Sequence, residues 1–195
     1  MRLFVTRHGQ TTWNARNKIC GRTDVPLTEL GKQQAAALAQ KTAGVGIDLI
    51  IVSPLQRAVD TAKAVSAVCG APIVTDDRLI EQDYGIYEGL DRKDSGFQAN
   101  KRMFAFRYPN GESMMQLAGR VYGLLEDVKK QYADKTVLLV CHNGICRVIH
   151  SYFHDMTNEE FATFSLYTPE GELDHTETTM RIKGRGQASW RLDKR

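Results

Sequence analysis

The sequence contains no long hydrophobic run. No stretch approaches the ~20 consecutive apolar residues that a membrane-spanning helix requires, so we expect no transmembrane segment among its 195 residues. The first strand-like run begins at once, which leaves no room for a signal peptide and favours a cytoplasmic location. The formal net charge is only +3, too small an excess to indicate a nucleic-acid partner.

Cysteine is scarce, and no two of the four cysteines have CxxC spacing. This argues against a zinc ribbon and a thioredoxin-like motif. A chain of this length also needs no disulfide bonds to stabilise its core, so we expect reduced thiols. His150 and His154 have a zinc-compatible spacing, but no HExxH signature surrounds them and no metal site is predicted. A GxxxxGK[ST] loop is also absent, which disfavours a kinase-type nucleotide site.

Repeats, linkers and low-complexity segments are absent as well. Because the length fits one hydrophobic core, we expect a single domain over residues 1–195. The sequence leaves the oligomeric state open. Basic residues gather near the C-terminus, where a solvated edge is the simpler interpretation and an acidic partner is the alternative. They are Arg181, Lys183, Arg185, Arg191, Lys194 and Arg195.

Three continuous apolar runs are present, and each predicts a buried strand covered on both faces. They are Leu3–Thr6, Asp48–Val52 and Thr136–Val140. Weaker strand signals are found at Pro72–Thr75, Phe164–Tyr167, Thr178–Ile182 and Ala188–Leu192, and we expect Trp190 to pack against the body of the domain. Helices are predicted at 29–42, at 54–69, after residue 113, and after residue 144 to about 154.

Capping residues mark the starts of these helices. Thr28 is the expected N-cap of the first helix. Ser53 with Gln56, around Pro54, predicts a capping box for the second helix, and Ser113 with Gln116 predicts another. A short helix is also expected at Ala99–Tyr108, within an excursion above the sheet.

Functional side chains follow each of the three apolar runs. Arg7 and His8 follow the first, Ser53 and Arg57 the second, and His142 the third. The carboxyl ends of parallel strands meet at one edge of a sheet, where ligands bind. Guanidinium groups, imidazoles and a helix N-terminus together predict a site for a phosphate dianion. The alternative for the first pair is a surface Arg-His after an edge strand.

These residues belong to a longer set of motifs that resembles the histidine phosphatase superfamily, also called the phosphoglycerate mutase-like family. The resemblance covers most of the chain. Its motifs are Arg7-His8-Gly9-Gln10-Thr11 with Trp13-Asn14, Asp24-Val25-Pro26-Leu27-Thr28 with Gly31, Ser53-Pro54-Leu55-Gln56-Arg57-Ala58, Glu81 with Tyr84-Gly85 and Glu88-Gly89, Gly111-Glu112-Ser113, and His142-Asn143-Gly144. The resemblance implies an α/β fold, a three-layer sandwich with a mostly parallel central sheet and helices on both faces.

The resemblance also implies roles for individual residues. His8 matches the nucleophile that accepts the phosphoryl group, and Glu81 matches the residue that protonates the leaving oxygen. Arg7, Arg57 and His142 match the groups that bind the phosphate and stabilise the transition state. Substrate-binding roles are implied for Asn14 and Gly21 too. No cofactor is implied, because phosphoryl transfer needs mainly positioning and charge stabilisation.

Simpler interpretations stand beside two of these roles. In the simpler interpretation of Glu81, this residue is a solvated carboxylate of a loop. In the simpler interpretation of Asn14, its side chain makes only a local hydrogen bond within a turn. The sequence also departs from the mutase branch at two positions, with Arg22 after the loop glycine instead of Trp, and Cys20 before it instead of Thr or Ser. The segment after Glu81 is shorter than in mutases as well.

The resulting expectation is a phosphatase that acts on a small phosphate monoester. A phosphoglycerate mutase is the alternative within enzymes, since five basic residues could bind a second anionic group. They are Arg92, Lys93, Lys101, Arg102 and Arg107. A non-catalytic module that binds a phospho-ligand is a third possibility, although such a module is expected to lack His8, Glu81 or His142.

Overall fold

The computed structural model describes residues 1–165, 179–183 and 187–190. The strands are β1 (Arg2–Arg7), β2 (Leu49–Val52), β3 (Ile73–Thr75), β4 (Thr136–Cys141), β5 (Thr179–Lys183) and β6 (Gln187–Trp190). The helices are α1 (Thr12–Ala15), α2 (Glu29–Thr42), α3 (Gln56–Cys69), α4 (Ser95–Asn100), α5 (Met114–Gln131), α6 (Asn143–Phe153) and α7 (Asn158–Thr163).

Six strands form one sheet in the order β3-β2-β4-β1-β5-β6. The four strands from β3 to β1 are parallel, whereas β5 and β6 are antiparallel to their neighbours. The three apolar runs lie side by side at the centre, where both faces of the sheet are covered. The predicted mostly parallel α/β sheet is therefore confirmed.

Helices cover both faces of this sheet. Side chains of α2 and α3 pack with Ile50 and Leu138 on one face. Side chains of α5 and α6 pack with Leu49 and Leu139 on the other. Neighbouring residues of one strand thus belong to different layers, because successive side chains of a strand point to opposite faces. This three-layer arrangement explains why the central strands are apolar at every position.

Local signals placed most helix ends correctly. Thr28 caps α2, whose bounds match the prediction, and the capping box of Ser113 with Gln116 begins α5. The box predicted for Ser53 is wrong: α3 begins at Gln56, after Leu55, with no side-chain cap from Ser53. The Asp24 carboxylate accepts the Gln56 backbone N–H at 2.7 Å instead.

The excursion after β3 differs from the prediction. Its helix is α4, which Asp94 caps through the Phe97 N–H, and residues of the predicted helix beyond Lys101 form turns. Phe164 and Ser165 form no strand. Leu166 and Tyr167 lie outside the described residues, as do Thr178, Arg185, Arg191, Leu192, Lys194, Arg195 and the side chain of Trp190. Within the described parts of the chain, no helix has the length and apolarity to cross a bilayer.

Candidate active site

The central strands deliver their following residues to one edge of the sheet. Arg7 at the end of β1 lies beside Cys141 at the end of β4, and Val52 of β2 lies beside Val140. The His8 N–H continues this ladder and donates to the Cys141 carbonyl at 3.0 Å. The prediction that the three strand ends converge is therefore confirmed, and the surface interpretation of Arg7 and His8 is wrong, since both are buried.

The His8 imidazole is held by the backbone that follows it. Its Nδ1 lies 2.7 Å from the Gly9 carbonyl oxygen. A carbonyl oxygen only accepts, so Nδ1 is the nitrogen that carries the proton. In the neutral ring Nε2 then keeps its lone pair. His8 itself lines a cleft at this edge of the sheet.

Burial keeps this imidazole neutral. The pKa of His8 lies well below its usual value because burial removes water from the charged form, and Arg7 and Arg57 repel a positive ring. The pKa of His142 is also well below its usual value, first through burial and then through Arg57 and His8. Both rings therefore stay uncharged at neutral pH.

His142 packs against His8, with ring centroids 5.0 Å apart and an edge-to-face angle of 61°. Its Nε2 lies 2.8 Å from Ser53 Oγ, and Ser53 Oγ accepts the Leu55 N–H at 3.4 Å. Nδ1 of His142 is buried and has no hydrogen-bond partner among the described residues. A buried polar atom without a partner is unfavourable, so this nitrogen is available to a ligand.

The side chain of Arg57 is fully buried in the first turn of α3. Its Nη1 donates to the Thr23 carbonyl at 2.9 Å and its Nη2 donates to the Gly21 carbonyl at 2.6 Å. Its Nε is buried without a partner in the described part of the chain. Arg57 thus holds the loop around Gly21 and adds positive charge beneath His8.

The same loop is held from its other side. The Glu88 carboxylate accepts the backbone N–H groups of Gly21, Arg22 and Thr23 at 3.2, 2.9 and 3.1 Å. A Cβ on Gly21 would lie 2.1 Å from Glu88 Oε1. A Cβ would also lie 2.3 Å from the backbone carbonyl oxygen of Gln82, so this position needs glycine for the close packing of the loop. The substrate-binding role of Gly21 stays a prediction.

Glu81 is a buried carboxylate, and only 4% of its surface is exposed. Oε1 accepts the Gln82 N–H at 2.9 Å, and Oε2 accepts the Gly144 N–H at 3.0 Å in the first turn of α6. A Cβ on Gly144 would lie 2.5 Å from Glu81 Oε1. The interpretation of Glu81 as a solvated loop carboxylate is therefore wrong.

A partly buried ion pair supports the backbone of Glu81. Arg120 Nε and Nη2 donate to the two oxygens of Glu112 at 2.8 and 2.9 Å. Its Nη1 donates to the Arg78 carbonyl at 2.6 Å, and Nη2 reaches the Glu81 carbonyl at 3.3 Å. The fork of Arg120 thus fixes the segment that presents Glu81.

The cleft above His8 has a volume of about 120 Å³. Of the predicted site residues, Arg7, His8, Asn14 and Glu81 line it. Arg57, His142 and Gly21 lie beneath or beside this surface. The Asn14 side chain also accepts the Thr11 N–H at 3.1 Å in the capping box of α1. The local hydrogen bond of the simpler interpretation is therefore present, and the same residue also lines the cleft.

Further cleft residues come from the excursion and from α6. The sequence analysis assigned no site role to Phe97, Gln98, Asn143 or Arg147, yet all four line the cleft. Arg147 was detectable, because a charged residue among Ile145, Cys146, Val148 and Ile149 on a buried helix needs a reason. No group of three or more metal-ligating side chains occurs within residues 1–165 or the two described strands beyond them.

Comparison with known proteins places this arrangement in a family. The sequence pattern of the histidine phosphatase superfamily, branch 1, matches residues 3–186. The chain belongs to the histidine phosphatase superfamily. Similar proteins include named phosphatases and probable mutases, so the prediction of an enzyme of phosphate ester chemistry is confirmed at this level.

Three similar proteins illustrate the range of this superfamily. The uncharacterized phosphatase PhoE of Bacillus subtilis strain 168 is 37% identical over 92% of this chain and 91% of its own length. The probable phosphoglycerate mutase GpmB of Enterobacter sp. strain 638 is 37% identical over 73% of this chain and 69% of its own. The structure of a mycobacterial glucosyl-3-phosphoglycerate phosphatase with VO3 aligns with a TM-score of 0.80, 28% identity and coverage of 98% and 97%.

Proposed function

We propose that this superfamily member is a phosphatase that hydrolyses a small phosphate monoester through a phosphohistidine on His8. The observation that carries this proposal is the hydrogen bond between His8 Nδ1 and the Gly9 carbonyl. It leaves the Nε2 lone pair to attack phosphorus, in a ring that burial keeps neutral. A nucleophile must be unprotonated to react.

Positive charge and oriented donors surround this nucleophile. Arg7, the last residue of β1, lines the cleft, and the buried Nε of Arg57 lacks a partner among the described residues. If Ser53 Oγ donates to Nε2 of His142, Nδ1 of that ring carries a proton for a phosphoryl oxygen. Preorganised donors of this kind stabilise charge that develops in the transition state, so the proposal includes no metal or cofactor.

Glu81 is the general acid and then the general base in this scheme. Nε2 of His8 forms a bond to phosphorus while the bond to the alcohol oxygen breaks, and Glu81 protonates that oxygen. In the second half-reaction Glu81 accepts a proton from a water molecule. The oxygen of that water attacks phosphorus, and the bond between phosphorus and His8 Nε2 breaks. Inorganic phosphate leaves and His8 is regenerated. The Gln82 and Gly144 N–H groups hold the carboxylate in place.

A phosphoglycerate mutase is the alternative that two observations favour. Several relatives are named as probable mutases, and Arg92 and Lys101 line the cleft. A mutase must exclude water until the phosphoryl group returns to the substrate. The short segment between Glu81 and Gly111 offers limited cover, and the relative aligned over 92% of this chain is named a phosphatase. A non-catalytic module is disfavoured, since His8, Glu81 and His142 are all present.

The test measures both possible fates of the phosphoryl group. The protein is incubated with a panel of phosphate monoesters, and separately with 3-phosphoglycerate and 2,3-bisphosphoglycerate, with the His8→Ala variant as control. Phosphate release that His8→Ala abolishes, with negligible 2-phosphoglycerate, supports the phosphatase. Fast interconversion of the two phosphoglycerates with little free phosphate would show a mutase instead.

A further inference from the structure

Three basic side chains line the cleft in addition to Arg7. Arg92 lies in the excursion after Glu81, Lys101 ends α4, and Arg147 lies in α6. They come from two separate segments of the chain, the excursion and α6, yet they face one small volume. Arg92 is close enough to His8 to contribute to the low pKa of that imidazole. The basic group therefore adjoins the position of the proposed nucleophile.

None of the three forms an ion pair with a carboxylate in the described part of the chain. Arg92 Nε donates to the Lys18 carbonyl at 3.1 Å. Arg147 is 5% exposed, its Nη2 reaches the Phe164 carbonyl at 3.4 Å, and its guanidinium lies over the Phe161 ring, 5.6 Å from the ring centroid. Its Nε is buried without a hydrogen-bond partner among these residues.

Neighbouring basic residues behave differently. Arg102 pairs with Glu159, and Arg107 Nε donates to Gln116 Oε1 at 2.9 Å. Lys93 is exposed and does not line the cleft. Of the five basic residues that sequence analysis considered for a second anion, only Arg92 and Lys101 face the cleft, and Arg147 joins them.

Gathering positive charge in a partly buried cleft is unfavourable unless an anion compensates it. Burial, together with Arg147 and Arg92, lowers the pKa of Lys101 to about 8. The burial of Arg92 lowers its pKa as well. An anion placed among the three groups would be held by charge-assisted hydrogen bonds and would relieve their mutual repulsion.

We propose that Arg92, Lys101 and Arg147 form a subsite for a second anionic group of the substrate. The substrate is then a small phosphate monoester whose leaving alcohol carries a carboxylate or a second phosphate. The proposal rests on the proposed function only for the position of the first phosphoryl group at His8. Tyr84 and Phe97, which also line the cleft, would contact the carbon skeleton between the two anions.

The cleft volume limits the size of this substrate. About 120 Å³ is well below the roughly 300–1,000 Å³ of pockets that hold drug-sized ligands. Two anionic groups in so small a space must be joined by a short carbon skeleton. A carboxylate and a second phosphate both suit guanidinium and ammonium donors, so the test includes each of them.

The test measures binding rather than turnover, with the His8→Ala variant so that no ligand is hydrolysed. Isothermal titration calorimetry compares 3-phosphoglycerate with glycerol 3-phosphate. The first compound carries a carboxylate where the second carries a hydroxymethyl group. A second pair, glycerol 1,3-bisphosphate and glycerol 3-phosphate, tests a second phosphate on an equally short carbon skeleton. We expect the anionic member of at least one pair to bind about tenfold more tightly or better, the effect of one or two hydrogen bonds to charged groups.

Variants of Lys101 assign this preference to the subsite. In the same background, Lys101→Met keeps the length of the side chain and removes its charge, so the preference should fall about fivefold or more. Lys101→Arg should restore most of it. The matched control is Lys93→Met, which removes a charge from the same segment outside the cleft and should leave the preference unchanged.

The outcomes separate this proposal from the proposed function. Equal affinities within both pairs, or a preference that Lys93→Met reduces as much as Lys101→Met, would overturn the subsite even if the wild-type protein releases phosphate from simple esters. A preference that depends on Lys101 would support the subsite even if the wild-type protein released no phosphate, in which case only the phosphatase proposal would fail.

Discussion

The imidazoles of His8 and His142 are buried near the guanidiniums of Arg7 and Arg57. Neither imidazole takes up a proton easily. Their pKa values lie well below the usual value of 6.5. In the unfolded chain both rings protonate as the pH falls through about 6.5. The folded protein therefore binds fewer protons than the unfolded chain below that pH, so acidification should reduce its stability.

This charge state can be measured directly. We expect the imidazole 13Cε1 resonances of His8 and His142 to show no titration between pH 8 and pH 6.5, whereas an exposed histidine changes over this range. The His8→Ala variant assigns one signal and serves as the control. A titration midpoint for His8 at or above pH 6.5 would contradict a neutral nucleophile held by burial.

Glu81 offers a second test at a single position. Glu81→Gln keeps the size of the side chain and its contact to the Gly144 N–H, but it removes the exchangeable proton. Loss of a general acid typically reduces the rate by about 10²–10⁴-fold. Alkyl phosphates, whose leaving oxygen needs a proton, should show this loss, whereas aryl phosphates should be affected far less. Equal damage to both substrate types would argue against the role.

At the scale of elements, the first turn of α6 holds the Glu81 carboxylate through a backbone N–H. Gly144 permits this contact, because any Cβ there would collide with Glu81 Oε1. Gly144→Ala should therefore displace the carboxylate and mimic Glu81→Gln, with a selective loss of activity on alkyl phosphates. Activity is measured with both ester types after thermal unfolding has shown that the variant folds.

A matched glycine in a helix provides the control. A Cβ on Gly119 in α5 would meet no atom within 4 Å. Gly119→Ala should keep full activity and stabilise the protein by about 0.4–1 kcal/mol, since alanine has less freedom in the unfolded chain. If Gly144→Ala were equally harmless, the N-terminus of α6 would not be what positions Glu81.

Element boundaries could be predicted where the signal is local. Thr28 and Ser113 cap their helices through hydrogen bonds to residues three positions away. The same local logic failed at Ser53, whose hydroxyl is engaged by His142, 89 positions further along the chain. The Asp24 carboxylate instead accepts the backbone N–H of Gln56, the first residue of α3. A distant partner of this kind leaves no trace in a local pattern.

At the scale of the whole molecule, features encoded in local sequence could also be predicted, whereas contacts between distant segments could not. Apolar runs predicted β1, β2 and β4 and the edge at which Arg7, Ser53 and His142 meet. The cleft wall could not be predicted, because Phe97, Lys101 and Arg147 line one cleft only after the excursion and α6 have taken their places around that edge. The contacts of Glu88 and Arg57 with the loop around Gly21 likewise join distant segments.

The architecture as a whole places the His8 imidazole in a cleft lined by basic side chains, and trapping a phosphoryl group on His8 tests the account most directly. The protein is mixed with labelled substrate, quenched in alkali within one turnover and analysed by peptide mass spectrometry. The account predicts an acid-labile, alkali-stable phosphoryl group on His8 and no label on the His8→Ala variant, which should have lost turnover. Near-normal turnover by His8→Ala, or label on another residue, would contradict it.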